Sequence, residues 1–286
     1  MKRAPLPGPR FRSISSAALV TLLIQSALLS ACKKRGDRGE SARLRTKTVV
    51  VCAHRGASAY APENTLAAMR KAMELGADMA ELDVQQTADA HLVVMHDDRL
   101  NRTTSGRGLL WQKSLAELRR LDAGGWFDPH FAGEPIPTLE EVMDLVRDRM
   151  KLNIEVKMHG HERGIVRLVI DTIRRKDFVE HCIVTSFDHA FIDSLKAQAP
   201  EMRVGYIFVP ELFHDSLFVK PVEVLSAHYK MVDAAFIERA HANGKEVHVW
   251  TVNDRDAMRR LIEIGVDGII TNYPDRAREV AQALQQ

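Results

Sequence analysis

The sequence predicts a TIM (β/α)8 barrel with a β-hairpin after its second strand and a short insertion at the barrel mouth. Three observations predict it. From Thr48 onward, short β-branched runs alternate with helical stretches, the pattern of a parallel sheet covered by helices. Nine such runs occur, and the third follows the second too closely for a parallel crossover. The other eight fall within 255 residues (286 − 31, leaving out the export segment below), the usual size of such a barrel.

Taken in order, the chain begins with an export signal. Lys2, Arg3, Arg10 and Arg12 precede the apolar run Ile14–Leu29, and small residues follow it. This is the order of a secretory n-region, h-region and cleavage site, and the run is short for a membrane span, so an uncleaved anchor is the lesser alternative. Leu29-Ser30-Ala31-Cys32 resembles the lipobox of bacterial lipoproteins. That resemblance implies a signal peptide over residues 1–31 and acylation of Cys32. More than one buried acyl chain gives stable anchoring, so Cys32 would hold the following domain at a bacterial membrane. Lys33, rather than Asp, resembles the pattern that sorts lipoproteins to an outer membrane, facing the periplasm, where the host has one. Residues 32–47 are polar and contain Gly, and read as a lipidated tether. The basic cluster Lys33–Arg38 within it reads as solvated linker before lipid contact.

Residues 48–286 form the barrel domain. Its expected strands are Thr48–Ala53, Met79–Val84, His91–His96, Leu152–Lys157, Cys182–Ser186, Arg203–Phe208, Val222–Ala227, Glu246–Val252 and Gly268–Thr271. Asp89-Ala90 is the only connection available between Ala88 and His91, so the second and third runs form an antiparallel hairpin. A two-residue loop pairs Ala88 with His91 and, counting back, Asp83 with His96 on one face, with Glu81 next along it. Ala90 stands where a tight turn favours Gly, and a slip of one residue would turn His96 to the other face. Residues from Asn101 to about Pro137, rich in Gly and carrying Trp126 and Phe127, read as the insertion, its aromatics either walling a pocket or packing the segment onto the barrel. Glu74-Leu75-Gly76-Ala77-Asp78 and Glu263-Ile264-Gly265-Val266-Asp267 both read as a helix end with a Gly cap feeding a strand.

Composition agrees with a globular chain: 45% hydrophobic and 27% charged residues, with 16 Gly and 11 Pro, exclude a disordered or collagen-like protein. The net charge of +2 becomes −2 without the four leader cations (+2 − 4), which argues against a nucleic-acid partner. With Cys32 assigned, Cys52 and Cys182 near opposite ends of their strands read as free buried thiols.

Chemistry belongs at the C-terminal strand ends of a parallel barrel. There stand His54-Arg55, Glu81-x-Asp83, His96 and Glu155-x-Lys157, period-two spacing sending each pair to one face. Three carboxylates converging there repel unless a cation lies among them or their pKa values rise. All-oxygen ligation suits one divalent Ca²⁺ or Mg²⁺, and the lack of a Cys/His cluster argues against structural zinc. Two His with an Arg and a Lys supply acid–base groups and anion binders, a set suited to a phosphoester. A glycosidase needs the paired carboxylates but not the His and Arg.

His54-Arg55-Gly56, Pro62-Glu63-Asn64-Thr65, Glu81-Leu82-Asp83-Val84, His96-Asp97, Pro137-Thr138-Leu139-Glu140-Glu141, Asn153-Ile154-Glu155-Val156-Lys157, Ser186-Phe187 and Trp250-Thr251-Val252-Asn253 together resemble the glycerophosphodiester phosphodiesterase family, in order from about Val50 to Pro274. The resemblance implies hydrolysis of glycerophosphodiesters to an alcohol and glycerol 3-phosphate with a divalent metal. It implies Glu81, Asp83 and Glu155 as metal ligands, His54 and His96 as the acid–base pair, and Arg55 and Lys157 as phosphate contacts. Ala90 departs from the Gly common in the family's hairpin. Glu63 reads either as part of the site or as an acid in the first turn of a helix Asn64–Glu74. Trp250, at a strand end, reads as a wall for the glycerol or head group before barrel packing. Alternatives are a lysophospholipase D or phospholipase D-like activity on acylated lipids, favoured by an apolar groove at the mouth, and an inactive barrel that binds a phosphorylated ligand.

Overall fold

Nine strands form in the computed structural model, which describes residues 48–286 together with Met1 and Ala4. The expected Cys32 anchor and the tether fall outside the described residues, as does the signal peptide apart from those two. In chain order the strands are β1 (Val50–Ala53), β2 (Met79–Gln86), β3 (Leu92–Val94), β4 (Lys151–Val156), β5 (Cys182–Ser186), β6 (Val204–Phe208), β7 (Val224–His228), β8 (Glu246–Trp250) and β9 (Gly268–Thr271). Eight are parallel and close on themselves, since β1 pairs with both β9 and β2. The ninth, β3, lies antiparallel to β2 at the margin, as the short connection requires. This is the expected TIM barrel.

The helices are α1 (Leu66–Glu74), α2 (Leu115–Leu118), α3 (Leu139–Val146), α4 (Ile165–Arg175), α5 (His189–Gln198), α6 (Ala234–Ala242), α7 (Arg255–Glu263) and α8 (Pro274–Ala283). Side chains of Thr65, Thr138, Asp188, Asp233 and Asp254 cap their helices by accepting a backbone N–H of the first turn. The joints at Gly76 and Gly265 take the positive φ of a helix stop, 72° and 93°. Between β6 and β7 two 3₁₀ turns, Pro210–Leu212 and Asp215–Val219, take the place of a covering helix.

Period-two alternation splits each strand between two environments. Val51, Ala53, Leu82, Ile154, Val184 and Val249 face outward into the layer beneath the helices. Cys52, Met79, Ile183, Val224 and Ile270 face inward and form an apolar floor inside the barrel. Cys52 therefore lies in the interior and Cys182 in the outer layer, both as free thiols. The same alternation carries His54, Glu81, Asp83, Glu155 and Trp250 onto the inner face above that floor.

The hairpin departs from the expected register. Val84 pairs with Val94, so Asp83 faces Met95, not His96. The loop holds three residues: Thr87 N donates to His91 O at 2.9 Å, and Ala88-Asp89-Ala90 lie between. Ala90 adopts φ 61°, the left-handed place of a three-residue hairpin loop, where Gly is favoured. The insertion packs on β3 through a second small core of Val93, Met95, Leu100, Leu110, Leu118, Ala123 and Ile136. Trp126 meets Phe127 edge to face at 5.7 Å and donates its Nε1–H to the Ala123 carbonyl, so these aromatics hold the insertion together.

Candidate active site

The loop leaving β1 sets the first part of the site. Gly56 has φ 78°, and a Cβ on it would stand 2.7 Å from backbone and side-chain atoms of Ala68, so no other residue fits. Arg55 just before it is also left-handed, at φ 55°, which turns its N–H onto Glu81 Oε2 at 2.9 Å. From β2 come Glu81 and Asp83, and the β2–β4 register sets Asp83 directly beside Glu155. Carboxylate oxygens of Glu81, Asp83 and Glu155 lie within 4.8 Å of one another.

Burial and mutual repulsion dominate this cluster. Burial pushes the Glu81 carboxyl well above its usual range, and the charges of Asp83 and Glu155 add to it. Glu155 is pushed up to about 7 by burial and by Asp83, against the pull of Lys157. Burial would raise Asp83 too, but Lys157 and Arg55 outweigh it and hold Asp83 low. Lys157 Nζ donates to Glu155 Oε1 at 2.6 Å and lies 3.3 Å from Asp83 Oδ1. Asn64 clasps Asp83 twice, its amide donating to Oδ2 at 2.8 Å and its carbonyl accepting the Asp83 N–H at 3.2 Å. Glu81 Oε1 is buried and has no hydrogen-bond partner. A clustered, all-oxygen donor set with an unsatisfied buried carboxylate oxygen fits a hard divalent cation.

The two histidines are held differently. His54 Nδ1 meets the Asn272 side-chain oxygen at 2.7 Å; an amide oxygen only accepts, so Nδ1 carries the proton and Nε2 holds the free lone pair. Nε2 lies 4.0 Å from Glu81 Oε2. Burial and the Arg55 charge push the His54 pKa down to about 4, leaving a neutral imidazole at pH 7. His96 donates Nδ1–H to Asp97 Oδ1 at 2.7 Å. Hydrogen bonds from Arg102 hold Asp97 far below the usual carboxylate range despite its partial burial. An ionised carboxylate there orients the imidazole by accepting its Nδ1–H.

His54, Arg55, Glu81, His96, Glu155, Lys157 and Trp250 line one cavity of about 200 Å³, along with Phe187 and Ser226. Trp250 is half-buried: its Nε1–H donates to the Ser226 carbonyl at 3.0 Å, and its ring meets Phe187 edge to face at 5.6 Å. Seven of the expected site residues thus line this cavity, while Asp83 is buried in the carboxylate cluster with Glu81 and Glu155 and does not line it. His96 reaches the cavity because the chain leaves β3 at Val94, not through strand register.

Glu63 is not in a first helical turn. The helix starts at Leu66 with Thr65 as its cap, and Glu63 lies before it, accepting from Arg55 Nη1 at 2.7 Å. Sequence reasoning also passed over Asn272 and Arg102, which orient the groups just described. Asn272 meets His54 from 218 positions away and Arg102 meets Glu63 from 39, so no local spacing marks those contacts, although Arg102 also reaches Asp97 only five positions away. Asn64 and Phe187 lay within motifs already noted but carried no role.

Residues 54–276 match the Glycerophosphoryl diester phosphodiesterase family. The chain is 42% identical over 233 residues to a glycerophosphodiester phosphodiesterase of Caldanaerobacter subterraneus subsp. tengcongensis, covering 80% of this chain and 96% of the relative. It is 32% identical to the glycerophosphodiester phosphodiesterase of Bacillus altitudinis, over 82% of this chain and 99% of that one. Among solved structures it resembles an Oleispira antarctica phosphodiesterase in complex with the product sn-glycerol-3-phosphate, with TM-score 0.74 and 32% identity over 81% of this chain and 96% of that one.

Proposed function

The chain belongs to the glycerophosphoryl diester phosphodiesterase family, and on that premise we propose that it hydrolyses glycerophosphodiesters to an alcohol and sn-glycerol 3-phosphate with the aid of one divalent cation. The observation that carries the reading is one cavity onto which two histidines, two cations and two carboxylates of a cluster of three open, the third, Asp83, being buried beside them.

In this reading Glu81, Asp83 and Glu155 would hold Ca²⁺ or Mg²⁺, which would supply positive charge that offsets the phosphodiester anion. Arg55 and Lys157 bind non-bridging phosphate oxygens and favour the more negative transition state. His54, neutral and with Nε2 free, takes the proton from the attacking oxygen. His96, backed by Asp97, carries the proton to the departing alkoxide. A positioned acid or base of this kind contributes roughly 10²–10⁴-fold. Asn64 keeps Asp83 fixed, and Trp250 with Phe187 walls the organic part of the substrate. Support for export and membrane anchoring through Cys32 comes from the leader pattern and the lipobox resemblance.

The test uses the purified full-length protein with glycerophosphocholine and glycerophosphoethanolamine, with added Ca²⁺ or Mg²⁺ or with EDTA, following glycerol 3-phosphate. Release from both that EDTA abolishes is expected. No release with any cation from folded protein would overturn the reading and turn attention to acylated lipids, for which Phe187, 38% exposed beside Trp250, offers apolar surface.

A further inference from the structure

One side chain ties together two loops of the barrel mouth, the loop leaving β1 and the loop following β3. Arg102 Nε donates to Asp97 Oδ2 at 2.7 Å and its Nη2 to Asp97 Oδ1 at 2.9 Å. Its Nη1 donates to Glu63 Oε2 and its Nη2 to Glu63 Oε1, both at 2.8 Å. Both carboxylates are thus gripped by two parallel bonds, a geometry a planar guanidinium makes and an ammonium does not.

Each carboxylate has a second partner that opens onto the cavity. Asp97 Oδ1 also accepts from His96 Nδ1, and Glu63 Oε1 also accepts from Arg55 Nη1, each at 2.7 Å. The order of groups is Arg55, Glu63, Arg102, Asp97, His96, with the charges alternating in sign from Arg55 to Asp97. Arg102 itself is 43% exposed and lines no part of the cavity. An ion pair that open to solvent adds little stability, so the consequence of this network lies in the two side chains at its ends.

We propose that Arg102 is a positioning residue for diester hydrolysis: one rim guanidinium orients His96 through Asp97 and Arg55 through Glu63. The inference rests on the roles given above to His96 and Arg55. Without Arg102, two carboxylates lose their shared counter-charge and the fork that fixes their planes. His96 then loses its orientation toward the leaving oxygen, and Arg55 is drawn toward Glu63 and away from phosphate.

The test compares Arg102→Ala and Arg102→Lys with the parent in the full chain, on glycerophosphocholine and on glycerophospho-p-nitrophenol, whose leaving group needs no proton. On the choline ester Arg102→Ala should lose about 10–100-fold in kcat/KM, the size typical for residues that orient reacting groups, through both a lower kcat and a higher KM. On the nitrophenyl ester the KM rise should persist while the kcat loss is clearly smaller than on the choline ester, because the Arg55 part of the effect remains and the His96 part does not. Arg102→Lys keeps the charge but not the fork and should behave as Arg102→Ala, and added methylguanidinium should restore turnover to Arg102→Ala. Parent-level kcat and KM in Arg102→Lys would overturn the inference, and that variant decides the matter if Arg102→Ala does not fold. Equal kcat loss on both esters with a lower Tm and no rescue would assign Arg102 a structural role and overturn it as well. A parent that cleaves neither ester, or a His96→Ala variant as active as the parent, would instead refute the proposed function, and the inference with it.

Discussion

Lys157 Nζ lies between two of the three converging carboxylates, donating to Glu155 Oε1 at 2.6 Å and standing 3.3 Å from Asp83 Oδ1. Together with Arg55, whose Nε stands 3.4 Å from Asp83 Oδ2, it provides two cations for three acids. The remaining imbalance falls on Glu81 and Glu155, whose carboxyls burial and mutual repulsion push upward. Uptake of a cation in exchange for protons, as the proposed function requires, would relieve that imbalance.

That imbalance predicts a pH dependence. Glu155 titrates at about 7 in the folded protein against 4.5 as its ordinary value, so between those limits the folded state holds more protons than the unfolded one. Glu155 should therefore withdraw stability from the cation-free protein as pH rises from about 4.5 to 7, with Glu81 acting in the same sense and His54, lowered from 6.5 to about 4, in the opposite one. Thermal unfolding in EDTA of the parent and Glu155→Gln across this range isolates the Glu155 part; a Tm difference between the two that does not change with pH would contradict it.

The same groups must ionise to hold a cation, so affinity for Ca²⁺ or Mg²⁺ should increase as pH rises through about 7, with protons released on binding. Calorimetry in two buffers of different ionisation enthalpy measures that release. Buffer-independent heats near pH 7 would count against the assignment of Glu155 as a ligand.

His54→Ala and His96→Ala should each leave the circular dichroism spectrum unchanged and lower kcat by roughly 10²-fold or more. Activity near the parent level in either variant would remove that histidine from the proposed acid–base pair.

Two backbone positions test the geometry apart from the chemistry. Gly56→Ala places a Cβ at 2.7 Å from Ala68 in a left-handed conformation and should lower Tm by about 2–12 °C, the equivalent of about 1–3 kcal/mol in a domain of this size. Ala90→Gly, at φ 61°, should do the reverse and raise Tm by about 1–4 °C, because it relieves the cost of a left-handed Ala. Differential scanning calorimetry of the two variants settles both signs.

Anchoring is tested at Cys32. The parent should incorporate labelled fatty acid in a bacterial host and sediment with membranes, and Cys32→Ala should do neither. Unlabelled parent recovered wholly in the soluble fraction would refute the lipoprotein reading.

The barrel was legible because strand and helix periods are local: β-branched runs of four to eight residues, Gly stops at Gly76 and Gly265, and one connection too short to cross a sheet. Glu81, Asp83 and Glu155 were legible for the same reason, since a period of two places them on a face whatever their neighbours. The hairpin register was not. It turned on whether Ala90 would enter the left-handed region, a choice between a two-residue and a three-residue loop that tertiary packing of Val93 and Met95 against the insertion also influences. His96 still reaches the cavity, carried there by the chain beyond Val94.

By itself, then, the sequence determined the fold class, the shared faces of Glu81 with Asp83 and of Glu155 with Lys157, and a candidate set of residues suited to a phosphodiester, because those depend on side-chain identity and short-range period. Only the tertiary structure decided how those residues are oriented: Asn272 on His54 from 218 positions away, Arg102 on Glu63 from 39 and Asn64 on Asp83 from 19. A hydrogen bond between distant positions depends on where closure of the barrel brings two loops, and no local pattern in the chain encodes that distance.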